Sequence, residues 1–162
     1  MPLTLRSPAF EHHGEVPRRH TCDGEDVSPP LAWEQAPRDT RSLVLIVDDP
    51  DAPDPRAPQR VWVHWIVYGL APDVRRLDEG ASPGGLPDGA REARNDFGRT
   101  AWGGPCPPIG RHRYFFRLHA LDVALDDLGP SAGRREVEAA MQGHVLETAE
   151  LMATYERPAG AR

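Results

Sequence analysis

Two histidines, a tyrosine and a pair of aspartates carry the most usable chemistry in this chain. His64 stands in the middle of an otherwise apolar run, Val61-Trp62-Val63-His64-Trp65-Ile66-Val67-Tyr68. His112 and Tyr114 are two residues apart, which places them on one face of a strand. Asp49 and Asp51 belong to Asp48-Asp49-Pro50-Asp51-Ala52-Pro53-Asp54-Pro55, an acidic stretch stiffened by proline. Imidazole titrates near neutrality and donates two hydrogen bonds when charged. Two imidazoles and a phenolic hydroxyl would hold a phosphate or another oxyanion. A carboxylate behind a histidine fixes its tautomer and raises its pKa. Gly104-Pro105-Cys106-Pro107-Pro108 runs directly into His112, so that loop lies beside it. Prolines keep such a rim rigid and leave few competing amide donors. The set describes a preformed pocket for a small anion.

Each residue also has a plain structural reading. His64 is a satisfied core histidine if no ligand needs it, and Tyr114 a packed ring with its hydroxyl at an edge. Asp48 and Asp51 brace the acidic turn through Asx-type bonds. His12, His13, His20 and His119 read as surface residues, and His144 as structural. No His-x-His or His-x-x-x-His pair supplies a metal site, so no metal or cofactor is expected. A metal would have to be assembled from Asp49, His64 and His112. No Gly-x-Ser-x-Gly elbow is present, and Ser28, Ser42, Ser82 and Ser131 have no distinctive context. An enzyme using the His/Asp set as acid and base, a weak hydrolase or phosphoryl-handling activity, therefore lacks an evident nucleophile. A pure protein-interaction domain is the third reading, beside a non-enzymatic binding module.

The elements that must position these groups read as strands. Leu43-Val44-Leu45-Ile46-Val47 is short, apolar and β-branched, as a buried strand requires. The proline-rich acidic segment after it is expected to leave the sheet. Val61 to Tyr68 returns as a second strand, and His112 to Leu121 is a third. On that third strand His112, Tyr114, Phe116 and Leu118 share one face, opposite Arg113, Phe115, Arg117 and His119. Ser28-Pro29-Pro30-Leu31-Ala32-Trp33 reads as an edge strand or polyproline piece. Residues 71–108 form a long irregular region dense in turns, a length that points to function or to short unrecognised elements. From Arg134 the period changes. Val137, Met141, Val145, Thr148, Met152 and Tyr155 follow a helical face, with Ser131 as N-cap. Gly143 breaks that pattern into two short helices, or Leu151 to Tyr155 forms a last strand.

Composition narrows the class. The 162 residues fit one domain, and a hydrophobic share of 39% is enough for a core. A net charge of −6 with no long basic run argues against nucleic acid and anionic membrane surfaces as partners. The N-terminal residues lack the apolar core of a signal peptide, and no apolar run reaches the roughly 20 residues of a membrane span. A cytoplasmic location is the default expectation. The 15 glycines and 18 prolines are about a fifth of the chain, below the ~25–30% of low-complexity sequence. Cys22 and Cys106 are the only cysteines. Two reduced thiols are the default, and a bridge requires the fold to bring them together.

Asp49-Pro50-Asp51-Ala52-Pro53, Trp62-Val63-His64-Trp65 and Gly104-Pro105-Cys106-Pro107-Pro108 with His112-Arg113-Tyr114 follow one another in an order that resembles the phosphatidylethanolamine-binding protein family, also called Raf kinase inhibitor proteins. Thr21-Cys22-Asp23-Gly24, Ser28-Pro29-Pro30-Leu31, Asn95-Asp96-Phe97-Gly98 and Gly143-His144-Val145-Leu146 resemble its compact prokaryotic branch. The likeness covers nearly the whole chain. It implies a mainly β fold, an antiparallel β-sandwich with a few short helices, the main one near the C-terminus. It also implies a pocket for phosphate-like anions and phosphorylated head groups, made of Asp49, Ala52, Pro53, His64, Pro107, Pro108, His112 and Tyr114, with Asp51 bracing the turn. A homodimer, and a regulatory role against a protein kinase or protease, go with the resemblance. The chain departs from the eukaryotic members in a short run from Pro108 to His112 and in lacking a long C-terminal helix to close the pocket.

Overall fold

A computed structural model describes residues 2–160 of the chain. Strand β1 (Thr4–Arg6) is followed by a single 3-10 turn, Arg18–His20, and by β2 (Leu31–Glu34). The central hairpin is β3 (Ser42–Ala52) and β4 (Arg60–Leu70). Two short strands follow, β5 (Arg76–Leu77) and β6 (Arg91–Glu92). Then come β7 (His112–Leu121), α1 (Arg134–Met141) and β8 (Val145–Tyr155). The strands form two antiparallel sheets, one in the order β1-β2-β5 and one in the order β6-β4-β3-β7-β8.

β3 is covered on both faces, which explains its unbroken apolar run. Leu43, Leu45 and Val47 join Trp33, Leu31 and Leu77 in the core between the sheets. Val44 and Ile46 face the other way, toward Val137 and Met141 of α1. β7 alternates as the sequence predicts, with His112, Tyr114, Phe116, Leu118 and Ala120 buried.

Four expectations are corrected. β3 does not stop at Val47 but runs on through the acidic segment to Ala52. The register shift between Asp49 and Ala52 puts the extra residue on β3 and takes up Pro50, since a bulge tolerates a residue with no amide hydrogen. β2 is the middle strand of its sheet, not an edge. The helix ends at Met141, and Gly143, at φ 83°, leads to no second helix but to β8, which contains the alternative last strand Leu151 to Tyr155 and starts earlier, at Val145. There the buried residues are Ala149, Leu151, Ala153 and Tyr155, a period of two. The helix is capped at Gly133, whose N–H donates to the Glu136 carboxylate at 2.8 Å, not at Ser131.

Cys22 and Cys106 form a disulfide, with Cα atoms 5.4 Å apart across 84 residues of sequence. This corrects the reduced-thiol default. The cause is a close approach of two loops. The Cys22 N–H donates to the Pro105 carbonyl at 3.1 Å and the Gly104 N–H to Asp26 Oδ1 at 3.0 Å. A Cβ on Gly104 would fall 2.4 Å from the His20 carbonyl oxygen, so only glycine allows the contact. Among the described residues no helix is long and apolar enough to cross a membrane.

Candidate binding pocket

The ends of β3, β4 and β7 meet the loop before β7 around one cavity of about 300 Å³. Asp49, Ala52, Pro53, His64, Pro107, Pro108, His112 and Tyr114 all line it. Each comes from a different constraint. Asp49 and Ala52 lie on the bulged end of β3. His64 is on β4, His112 and Tyr114 on the inward face of β7, and the prolines on the clamped loop.

His64 is fully buried, 2% exposed. Its Nδ1 lies 2.6 Å from the Gly103 carbonyl oxygen. A carbonyl only accepts, so Nδ1 carries the hydrogen. Nε2 has no hydrogen-bond partner among the described residues. Burial lowers the pKa of His64 to about 4, against the pull of the Gly103 and Gly104 carbonyls and with help from nearby His112. The ring is therefore neutral at pH 7, with a bare lone pair on Nε2. Phe97 and Tyr114 pack edge-on against it at 5.4 and 5.2 Å. The backbone behind His64 is held by the loop after β6. The Gly103 N–H and the Asn95 amide both donate to the His64 carbonyl, at 3.1 and 3.2 Å.

His112 is spent inside the protein. Nδ1 lies 2.6 Å from Asp49 Oδ2, and Nε2 lies 2.9 Å from the Ile109 carbonyl oxygen and 3.1 Å from that of Pro53. Facing two carbonyls, Nε2 must donate. The expectation that both histidines donate to an anion is corrected accordingly. His112 has no hydrogen left to give, and neutral His64 presents an acceptor. Asp49 also takes the Asp51 N–H on Oδ1 at 2.7 Å, so it makes the Asx-type bond anticipated from its neighbours. Burial raises the pKa of Asp49, and the His112 bond only partly offsets it.

The other two aspartates pair with arginines, and only Asp51 does so beside the cavity wall. Asp51 binds the Arg113 guanidinium through two bonds of 3.0 and 2.9 Å and the Arg113 N–H at 2.9 Å. Burial pushes Asp51 up, but the Arg113 bonds prevail and leave it below the usual range. Asp48 points to the opposite face, where Arg134 of α1 lies 2.9 Å away and Arg117 at 3.4 Å.

Tyr114 Oη is buried without a hydrogen-bond partner. Burial, the charges of Asp49 and Asp51 and a long contact of the hydroxyl with the Asp49 carboxylate push its pKa well above the ordinary tyrosine value. It stays a neutral donor at the cavity floor. Trp62 Nε1 is likewise buried and unpartnered. Sequence reading missed Trp62, Arg60, Gln59, Phe97 and Cys106 as wall residues. The signal for two of them was present: Arg60, Trp62 and His64 are spaced by two on one strand, hence on one face. Arg60 lies over the Trp62 ring, 5.5 Å from its centre, at the exposed mouth.

The remaining histidines divide. His12 and His13 are exposed. His20 is buried against expectation, bonding the Val27 carbonyl at 2.9 Å. His119 is half-buried on the Thr148 hydroxyl, and exposed His144 pairs with Asp122. No group of three metal-type ligands occurs among the described residues.

The sequence model for the phosphatidylethanolamine-binding protein family matches residues 6–156. A protein named UPF0098 protein from Methanothermobacter thermautotrophicus is 48% identical over 156 residues, 96% of this chain and 99% of its own. The crystal structure of the Chlamydia trachomatis protein CT736, described as a homolog of that family, superposes with a TM-score of 0.86 at 41% identity, covering 97% of this chain and 99% of the other. Escherichia coli YbcL, described as a new member of the mammalian family, gives a TM-score of 0.88 at 30% identity over 98% and 100% of the two chains.

Proposed function

The chain belongs to the phosphatidylethanolamine-binding protein family, and from that membership and the construction of its pocket we propose that it binds a phosphate-like anion or phosphorylated small molecule without transforming it. The observation that carries this reading is the Tyr114 hydroxyl, buried on the cavity wall near Asp49 with no partner within full hydrogen-bond distance. A buried donor without a partner costs about 1–3 kcal/mol, and a ligand oxygen would recover that. Trp62 Nε1 is a second such donor, and Arg60 supplies positive charge at the mouth. Buried Pro107, with Phe97 and Pro108 at the exposed rim, gives the cavity a largely apolar wall around its few polar groups. The thiol of Cys106 is tied up in the disulfide, which leaves the wall without a sulfur nucleophile. Regulation of a protein kinase or protease, through a phosphorylated group seated in this pocket, is the wider role we assign to it.

Calorimetric titration tests the reading. Inorganic phosphate and O-phosphorylethanolamine are titrated at low salt into the wild type and His64→Ala, at about pH 6, where phosphomonoesters are half-protonated. Binding by the wild type that disappears in the folded variant supports the proposal. Absence of binding by the folded wild type rejects it.

A further inference from the structure

We propose that His64 makes this pocket select the proton-bearing form of a phosphomonoester, by accepting the ligand's acidic O–H on Nε2. The inference rests on the phospho-ligand reading above and deepens it. It follows from where the hydrogens are. The His64 Nδ1 hydrogen is committed to the Gly103 carbonyl at 2.6 Å, so the nitrogen left for the cavity offers a lone pair. His112, the other imidazole on the wall, points Nδ1 at Asp49 and Nε2 at two carbonyls. Neither ring gives a hydrogen to a ligand. The donors are the Tyr114 hydroxyl and the Trp62 N–H, with Arg60 at the mouth, set against one acceptor, Nε2.

A phosphomonoester dianion has oxygens that only accept, and one of them would meet the Nε2 lone pair. The monoanion turns that repulsion into a bond. It keeps two unprotonated oxygens for Tyr114 and Trp62 and gives its O–H to Nε2.

The charges around His64 favour the same choice. From β3, Asp49 lies behind His112, and Asp51 is neutralised by Arg113. From β7 come His112 itself and Tyr114. From the loop after β6, Asp96 accepts the Val63 N–H at 2.7 Å and Arg99 lies over the Phe97 ring. Asp26 is held by the Gly104 N–H. Among the described residues Arg60 is the one arginine or lysine lining the cavity, which suits one negative charge better than two. Burial keeps His64 neutral down to about pH 4, so the ligand must bring the proton.

Three probes separate the possibilities: monomethyl phosphate, dimethyl phosphate and sulfate, each titrated calorimetrically between about pH 5.5 and 8, a range spanning the second phosphomonoester pKa near 6. The expected result is monomethyl phosphate binding that weakens about tenfold per pH unit above that pKa, as the monoanion disappears. Dimethyl phosphate, a monoanion with no O–H, and sulfate, a dianion, bind weakly at every pH. In His64→Gln, whose amide can donate to a ligand oxygen, the pH profile flattens and sulfate binding improves. Monomethyl phosphate affinity that is flat with pH, or sulfate binding of equal strength, overturns the selectivity while leaving the phospho-pocket standing. A decline of dimethyl phosphate affinity with pH as steep as that of the monoester puts the proton on His64 and also overturns it. No binding of monomethyl phosphate at any pH removes both this inference and the function it rests on.

Discussion

His112 Nδ1 lies 2.6 Å from Asp49 Oδ2, with both residues almost wholly buried. Nε2 on the far side of the ring must donate to the Ile109 and Pro53 carbonyls. One further proton therefore serves the imidazole–carboxylate contact, held by the ring or by the acid. Asp49 also holds the Asp51 N–H, so the pair joins the bulged end of β3 to the start of β7.

That arrangement separates two substitutions at position 49. Asn keeps an oxygen for the Asp51 N–H and offers an N–H to Nδ1 of a neutral His112, so Asp49→Asn should cost about 1 kcal/mol. Asp49→Ala leaves a buried ring nitrogen and a backbone N–H unpaired and should cost roughly 3–5 kcal/mol, as for a broken buried pair. Urea denaturation of the two variants at neutral pH measures the gap. Equal costs would mean that an amide cannot stand in for the carboxylate beside the His112 ring.

His64 gives the protein a pH-dependent stability term. Its folded pKa of about 4 lies below the ordinary ~6.5. Between those values the unfolded state binds a proton that the folded state refuses. Stability is thus unaffected above about pH 6.5 and falls as the pH drops toward 4, by on the order of 3 kcal/mol from this residue. Asp48 and Asp49, whose pKa values are raised by burial, act in the opposite sense and lose stability as pH rises through their folded pKa. The difference between wild type and His64→Gln isolates the histidine. Unfolding midpoints should converge as the pH falls from 6.5 to 4, and parallel curves would mean that His64 titrates normally.

Tyr114→Phe should trade binding for stability. The hydroxyl is buried with no partner within full hydrogen-bond distance, so removing it should leave stability unchanged or improve it by up to about 1 kcal/mol. Phosphate affinity should fall roughly five- to tenfold, the loss of one neutral hydrogen bond. Thermal unfolding and calorimetry on the same preparation check both halves. A variant that unfolds markedly earlier would show that the hydroxyl has a partner in the free protein.

The sequence was most legible where one rule governed. The alternation on β7 put His112 and Tyr114 on one face, and the apolar run of β3 announced burial on both sides. Legibility failed where two rules competed. Pro50 argued against a sheet, but a bulge admits it. Val145, Thr148, Met152 and Tyr155 fit a helical period, while Ala149, Leu151, Ala153 and Tyr155 fit a strand, and sheet pairing with β7 decided the matter. The hydrogen positions in the pocket were not readable at all. Whether a histidine donates or accepts depends on carbonyls at Gly103, Pro53 and Ile109, which no side-chain pattern encodes.

The disulfide stabilises the wall that holds His64. Cys22 and Cys106 close a loop of 84 residues, for which chain entropy gives roughly 4–5 kcal/mol and experience with such bonds about 2–4. Two bonds donated by backbone N–H groups reinforce the same contact, from Cys22 to the Pro105 carbonyl and from Gly104 to the Asp26 carboxylate. They persist without the sulfur bridge, so the loop should stay seated in the folded state. Cys22→Ser/Cys106→Ser should therefore lower the urea midpoint by an amount equivalent to about 2–4 kcal/mol, yet weaken phosphate binding only a few-fold. Treating the wild type with a reductant should reproduce both effects. A large loss of binding with little loss of stability would reverse this order. It would mean that the bridge, and not the bonds from those N–H groups, keeps the Gly103 carbonyl against His64.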